Sequence, residues 1–187
     1  MIKFRDLRAD DIEVRLQSVK YNKDYPEKSG VILLLYKNAR VDMNILDETV
    51  GAENWQREHY ECKGNLFCRV GICTTMKVDK SGNDGDILSP SWVWKSDCGV
   101  ESNTEAQKGE ASDSFKRACF NWGIGRELYT SPFIWVNAEN CKIDNNGRCF
   151  DKFAVEAIRI EDKRITGILI YNVTQKKRCY TWQEQKK

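Results

Sequence analysis

Ala111-Ser112-Asp113-Ser114-Phe115-Lys116-Arg117-Ala118-Cys119-Phe120-Asn121-Trp122-Gly123 is the stretch on which the fold turns. Ala111, Phe115, Ala118, Cys119 and Trp122 recur at i, i+4, i+7, i+8 and i+11, the spacing of one buried helix face. Gly123 stands where a helix closes in left-handed backbone, and Gly125 loosens the segment after it. Upstream, Ser102 and Glu105 fit a capping box, so the spacing predicts a helix over 103–122.

Before this helix, residues 55–62, 66–78 and 91–100 carry the β-branched and aromatic content of strands. Lys80-Ser81-Gly82-Asn83-Asp84-Gly85-Asp86 reads as the hairpin tip between the last two. Val41, Ile45, Leu46 and Val50 repeat at helical spacing, and Gly51 ends that helix. Residues 31–37 form a continuous apolar run, read as a strand buried on both faces. Residues 12–20 alternate apolar and polar, the pattern of a half-buried strand, and 21–30, with Pro26 and Gly30, form a loop. Beyond Pro132 the chain returns to strands at 133–136, 153–160 and 165–173, with a turn at 161–164, and residues 175–187 read as a basic, mobile tail. The order is β-β-α-β-β-β-α with a β extension. Sequential strands on short connections predict an α+β fold, one antiparallel sheet packed on the long helix. The organisation expected is a core domain over 1–136 and a β-hairpin extension with the basic tail over 137–187.

A chain of 187 residues, 41% hydrophobic and 31% charged, is globular in composition. Its longest apolar run, Val31-Ile32-Leu33-Leu34-Leu35-Tyr36, is far short of the ~20 residues that span a bilayer. Met1-Ile2-Lys3-Phe4-Arg5-Asp6 has no signal-peptide pattern, so a soluble, cytoplasmic protein with no membrane partner is expected. Eight cysteines with no Cys-x-x-Cys pair and a single histidine, His59, do not make a zinc signature. They read as reduced thiols, several buried, and no metal or other cofactor is expected. A net charge of +2 does not announce a nucleic-acid binder, so any such site must come from local clusters of Lys and Arg.

Catalytic signatures are missing. There is no P-loop, hence no evident ATP motor, and no Gly-x-Ser-x-Gly elbow. Asp84 with Asp86, and Asp151 with Glu156, Glu161 and Asp162, are acidic clusters that a Mg²⁺-dependent nuclease could use, though solvated carboxylates explain them as well. Trp92, Trp94 and Trp135 suit either a core or exposed stacking in an RNA- or protein-binding module. On the 103–122 helix, Lys108, Ser112 and Lys116 lie at i, i+4 and i+8, and Lys116 and Arg117 flank the apolar stripe. Small neighbours leave room there for a phosphate backbone.

Several blocks in order resemble the Rad-fifty-two family of single-strand annealing proteins and its phage Sak-type relatives. They are Gly99-Val100, then Ala111-Ser112-Asp113-Ser114-Phe115-Lys116-Arg117-Ala118, then Trp122-Gly123, preceded by Ala39-Arg40-Val41, Gly51 and Asn54-Trp55. Trp55-Gln56-Arg57-Glu58 and Gly123-Ile124-Gly125-Arg126-Glu127-Leu128-Tyr129 look most like phage versions. The resemblance covers roughly 31–130. It implies a ring of subunits that holds one DNA strand by its phosphates, bases outward, so that a complement can pair without ATP. The chain would then be no enzyme. Its partners would be single-stranded DNA, further copies of itself and, as a candidate, a single-strand DNA-binding protein. The resemblance maps phosphate contacts onto Arg40, Lys116 and Arg117, and the DNA-binding set expected is Arg40, Lys108, Lys116, Arg117 and Arg126. The chain departs from eukaryotic members at Phe120, where they carry a further basic residue.

Overall fold

The structure, a computed structural model, describes residues 2–79, 87–100 and 106–185. The Ser102–Glu105 capping box, the 80–86 hairpin tip with Asp84 and Asp86, and the terminal Lys186-Lys187 lie outside the described residues. The fold is α+β, with antiparallel sheets and, among the described residues, two α-helices. Two compact units interleave in sequence: Met1–Arg5 with Ala39–Ile124, and Asp6–Asn38 with Gly125–Lys187. Sequential strands suggest one sheet; there are two, one in each unit.

In the first unit, helix α1 (Ala39–Val50) buries Ile45 and Leu46. It ends at Gly51, whose φ of +86° suits glycine and whose N–H donates to Asp47 O at 3.0 Å. Strands β3 (Trp55–Cys62), β4 (Asn65–Asp79) and β5 (Ile87–Cys98) form an antiparallel sheet in that order. Lys63 and Gly64, both at positive φ, make the two-residue turn whose twist matches the β3–β4 hairpin. Helix α2 (Ala106–Trp122) packs on β4 and β5. Cys68, Val70 and Ile72 of β4 and Phe115, Ala118 and Cys119 of α2 are fully buried. The stripe read from the sequence is therefore the core face, and Phe115→Ala would cost about 3–5 kcal/mol. Gly99 allows α2 to come this close, since a Cβ there would lie 2.2 Å from Glu110 O and 2.9 Å from Ser114 N.

In the second unit, six strands run in the order β6-β2-β1-β7-β8-β9. They are β1 (Glu13–Lys20), β2 (Gly30–Tyr36), β6 (Ile134–Asn137), β7 (Phe153–Glu161), β8 (Arg164–Asn172) and β9 (Lys177–Gln183). The first two strands of the chain thus share a sheet with the last three, joined at the single pair Glu13↔Ala154. Tyr180 Oη of β9 donates to Phe133 O beside β6 at 3.0 Å, so the two outer strands curl back toward each other. Val31, Leu33, Ile134, Val136, Ile165, Ile168 and Ile170 form the core.

The structure corrects two further expectations. Residues 31–37 are not buried on both faces: Val31 and Leu33 point inward, but Leu34 is 49% exposed. An antiparallel strand covered on one side leaves alternate residues open, even when those residues are leucines. The mobile tail contains β9, paired with β8 from Gly167↔Gln183 to Asn172↔Lys177, with Cys179 buried beneath it. Its basic residues lie on the outer side, where they hide the alternation from a composition-based reading. Arg178, for example, forks onto the Glu156 carboxylate at 2.7–3.1 Å.

Candidate nucleic-acid interface

Helix α2 is fixed by side chains or backbone of all three strands of its sheet. Phe115 stacks on Trp55 at 6.2 Å, and the Arg57 guanidinium lies 4.8 Å from the Phe115 ring centre. Trp122 Nε1 donates to Val70 O at 2.9 Å. Lys95 lies 4.6 Å over the Trp122 ring and donates its Nζ proton to Asn121 O at 2.9 Å, so a cation satisfies a carbonyl of the helix C-terminus. His59 Nε2, which had no evident partner in the sequence, lies 3.1 Å from Ala111 O. The cation-bearing strand positions Arg57 and Lys95 were missed, although their alternation with Trp55, Val93 and Asp97 could have marked them as facing the helix.

Of the expected DNA contacts, Lys116 and Arg117 sit in the second half of α2. Arg117 Nε donates to Asp97 Oδ1 at 3.2 Å, and Asn121 Nδ2 donates to Asp97 Oδ2 at 3.3 Å. The Arg117 side chain remains 42% exposed. At 100° per residue, Lys116 and Arg117 leave the helix about 100° apart, and Lys108 projects within about 20° of Phe115. Lys108 is exposed near the start of α2, on the line of the apolar stripe and not on a face shared with Arg117. Arg40 is exposed in the first turn of α1. A cation at that end opposes the helix dipole, so helix stability does not explain it. Arg126 is exposed on the 3-10 turn Arg126–Thr130 and belongs to the second unit.

Two residues of the second acidic cluster, Asp151 and Glu156, are engaged structurally. Asp151 Oδ2 accepts from Lys142 N–H and Asn172 Nδ2, both at 2.8 Å, and Oδ1 accepts from Gln175 Nε2 at 3.0 Å. Burial raises the Asp151 carboxyl, but these hydrogen bonds and the Lys142 charge outweigh it and hold the group below the usual aspartate value. Glu156 is likewise lowered by its hydrogen bonds from Arg178. Among the described residues no group of three or more His, Cys, Asp or Glu is arranged to hold a metal ion.

The family model of the Rad52/22 family double-strand break repair protein matches residues 5–146, three quarters of the chain. The chain belongs to this family. That assignment gives it a role in DNA repair and recombination. The match takes in nearly all of the first unit and strands β1, β2 and β6 of the second, and leaves β7–β9 beyond it. It reaches further than the 31–130 of the sequence resemblance, adding the N-terminal strand. No curated protein and no solved structure matches the chain. Among the described residues no helix is long and apolar enough to cross a membrane.

Proposed function

We propose that the chain binds single-stranded DNA by its phosphates and anneals complementary strands without ATP, as a closed ring of identical subunits, in the manner of phage-encoded members of the family. The observation that carries this reading is the family match over 5–146, which contains every expected DNA contact. Annealing needs no fuel, because base pairing drives it downhill. The protein has only to neutralise phosphates and keep strands extended. It would therefore act as a binding protein and not as an enzyme.

Lys116 and Arg117 are the principal contacts in this reading, with Lys108, Arg40 and Arg126 assisting. The carboxylate of Asp97 orients Arg117, and a planar guanidinium suits a phosphate oxygen pair. A net charge of +2 per chain is no objection, since a ring repeats each cation many times. Subunits packed head to tail close into such a ring when the rotation between neighbours divides a full turn.

Fluorescence anisotropy of labelled oligo-dT over a salt series, with and without ATP, tests the reading. Binding that weakens with salt and ignores ATP is expected. No binding at low salt, or binding that requires ATP, would overturn it.

A further inference from the structure

The β3-β4-β5 sheet has a second face. The strand residues whose side chains bond or stack with α2, namely Trp55, Arg57, His59, Lys95 and Asp97, lie on one side of it, together with the buried Cys68, Val70 and Ile72. The cross-strand register sends Tyr60, Phe67, Arg69, Trp92 and Trp94 to the other. α1 also meets the sheet on the α2 side, where Trp55 Nε1 donates to Asp47 Oδ1 at 2.6 Å.

These side chains follow one another in a row on that face. Trp94 lies flat across Gly71, where a Cβ would stand 2.8 Å from the ring. Trp92 follows at 6.2 Å between ring centres, with the planes 32° apart. On the other side the Arg69 guanidinium lies 4.6 Å from the Trp94 ring centre. Beyond it Tyr60 and Phe67 stack at 5.6 Å. From Phe67 to Cys73, which pairs with Trp92, β4 advances roughly 20 Å. The rings are half-buried and the Arg69 side chain is 43% exposed.

The charge on this row is already matched. Glu58 Oε2 accepts from Arg69 Nε at 2.9 Å and from Nη2 at 2.6 Å. Arg69 therefore offers its plane more than its charge, and the row has little to attract a phosphate. What it offers is a series of flat π surfaces with one flat cation among them, which is the chemistry of base stacking. We propose that this row is a stacking platform for the bases of single-stranded nucleic acid, on the face of the sheet opposite the phosphate contacts of α2. The proposal rests on the reading that the chain binds single-stranded DNA, and it adds a contact made to bases and not to the backbone.

The test compares oligo-dT with an abasic oligomer of equal length, which keeps the phosphates and lacks the bases. Trp92→Leu and Trp94→Leu, which keep an apolar side chain, should each weaken oligo-dT binding by roughly 5- to 100-fold. The slope of log affinity against log salt should not change, and abasic binding should match wild type. Ultraviolet cross-linking of the unaltered protein to oligo-dT, mapped by mass spectrometry, needs no variant and should label peptides holding Trp92, Trp94 or Tyr60. Variants that bind oligo-dT as wild type does, or cross-links confined to other segments, would overturn the platform. So would a loss of oligomer mass in light scattering of the Trp variants without DNA, since the face would then join copies of the chain. Should wild type bind neither oligomer, the DNA-binding reading falls and the platform with it. Should Lys116→Ala and Arg117→Ala leave oligo-dT binding intact while the Trp variants weaken it, the α2 assignment falls and the platform stands.

Discussion

Asp97 on β5 accepts the Nε proton of Arg117 on α2 at 3.2 Å, and the same carboxylate takes a hydrogen bond from Asn121 one helical turn further on. The principal cation of the proposed DNA site is thus held in place by a strand and does not swing freely on its helix. Arg117→Ala should make the log–log salt slope of oligo-dT binding shallower by about 0.7 for each phosphate no longer neutralised, and Lys116→Ala likewise. Asp97→Ala should weaken binding by only a few-fold, because it removes orientation and leaves the cation. Tighter binding by Asp97→Ala would mean that Asp97 competes with phosphate for Arg117.

Gly99→Ala should destabilise the protein by about 1–3 kcal/mol or prevent folding, because the added methyl meets the backbone of α2 at Glu110 and Ser114 and not a flexible side chain. Urea denaturation followed by circular dichroism measures it. A variant as stable as wild type would show that α2 can move away from β5 at little cost.

Asp151 gives the fold a pH dependence. Its folded-state value lies below the usual aspartate range, so its contribution is fully present above about pH 4 and is lost as the pH falls through the lower folded value. Asp151→Asn should therefore be less stable than wild type by about 1 kcal/mol at pH 7, with a smaller gap at about pH 3, below the ordinary aspartate value. Paired urea melts at the two pH values check this. An equal gap at both would remove the charge from the account.

Thiol reactivity should follow burial. Cys62 is exposed, whereas Cys68, Cys119, Cys141 and Cys179 are buried. Burial pushes Cys68 and Cys179 up to about 11 and Cys141 up to about 12, the Arg57 charge only partly opposing the rise at Cys68. Iodoacetamide at pH 8 should alkylate Cys62 first and reach those four only in denaturant, as read by peptide mass spectrometry. Early labelling of Cys68 would contradict the packing of α2 on β4.

The α2 stripe was legible because helical spacing and burial coincide at Phe115, Ala118 and Cys119, and β3, β4 and β5 were legible through their β-branched and aromatic runs. Other features were not, for physical reasons. Asp6 to Asn38 folds with Gly125 to Lys187, and no local pattern announces which distant strands will pair. β9 was hidden because basic residues occupy its outer side and only Cys179 points fully inward. Within the candidate interface, spacing placed Lys116 and Arg117 beside the stripe. The partners Asp97 and Lys95 come from another element, so helical periodicity alone could not supply them.

Light scattering should give a mass well above 21.7 kDa at micromolar concentration, because the proposed mechanism needs subunits side by side. A monomeric mass unchanged by added single-stranded DNA would remove the ring.

The most direct test of the central claim is the rate at which two complementary oligonucleotides anneal, followed by fluorescence quenching, without any nucleotide cofactor. The wild-type chain should speed annealing well above the spontaneous rate, and the double variant Lys116→Ala with Arg117→Ala should lose most of that acceleration while keeping the wild-type circular dichroism spectrum. A wild-type protein that leaves the spontaneous rate unchanged, or a double variant that anneals as fast as wild type, would contradict the account.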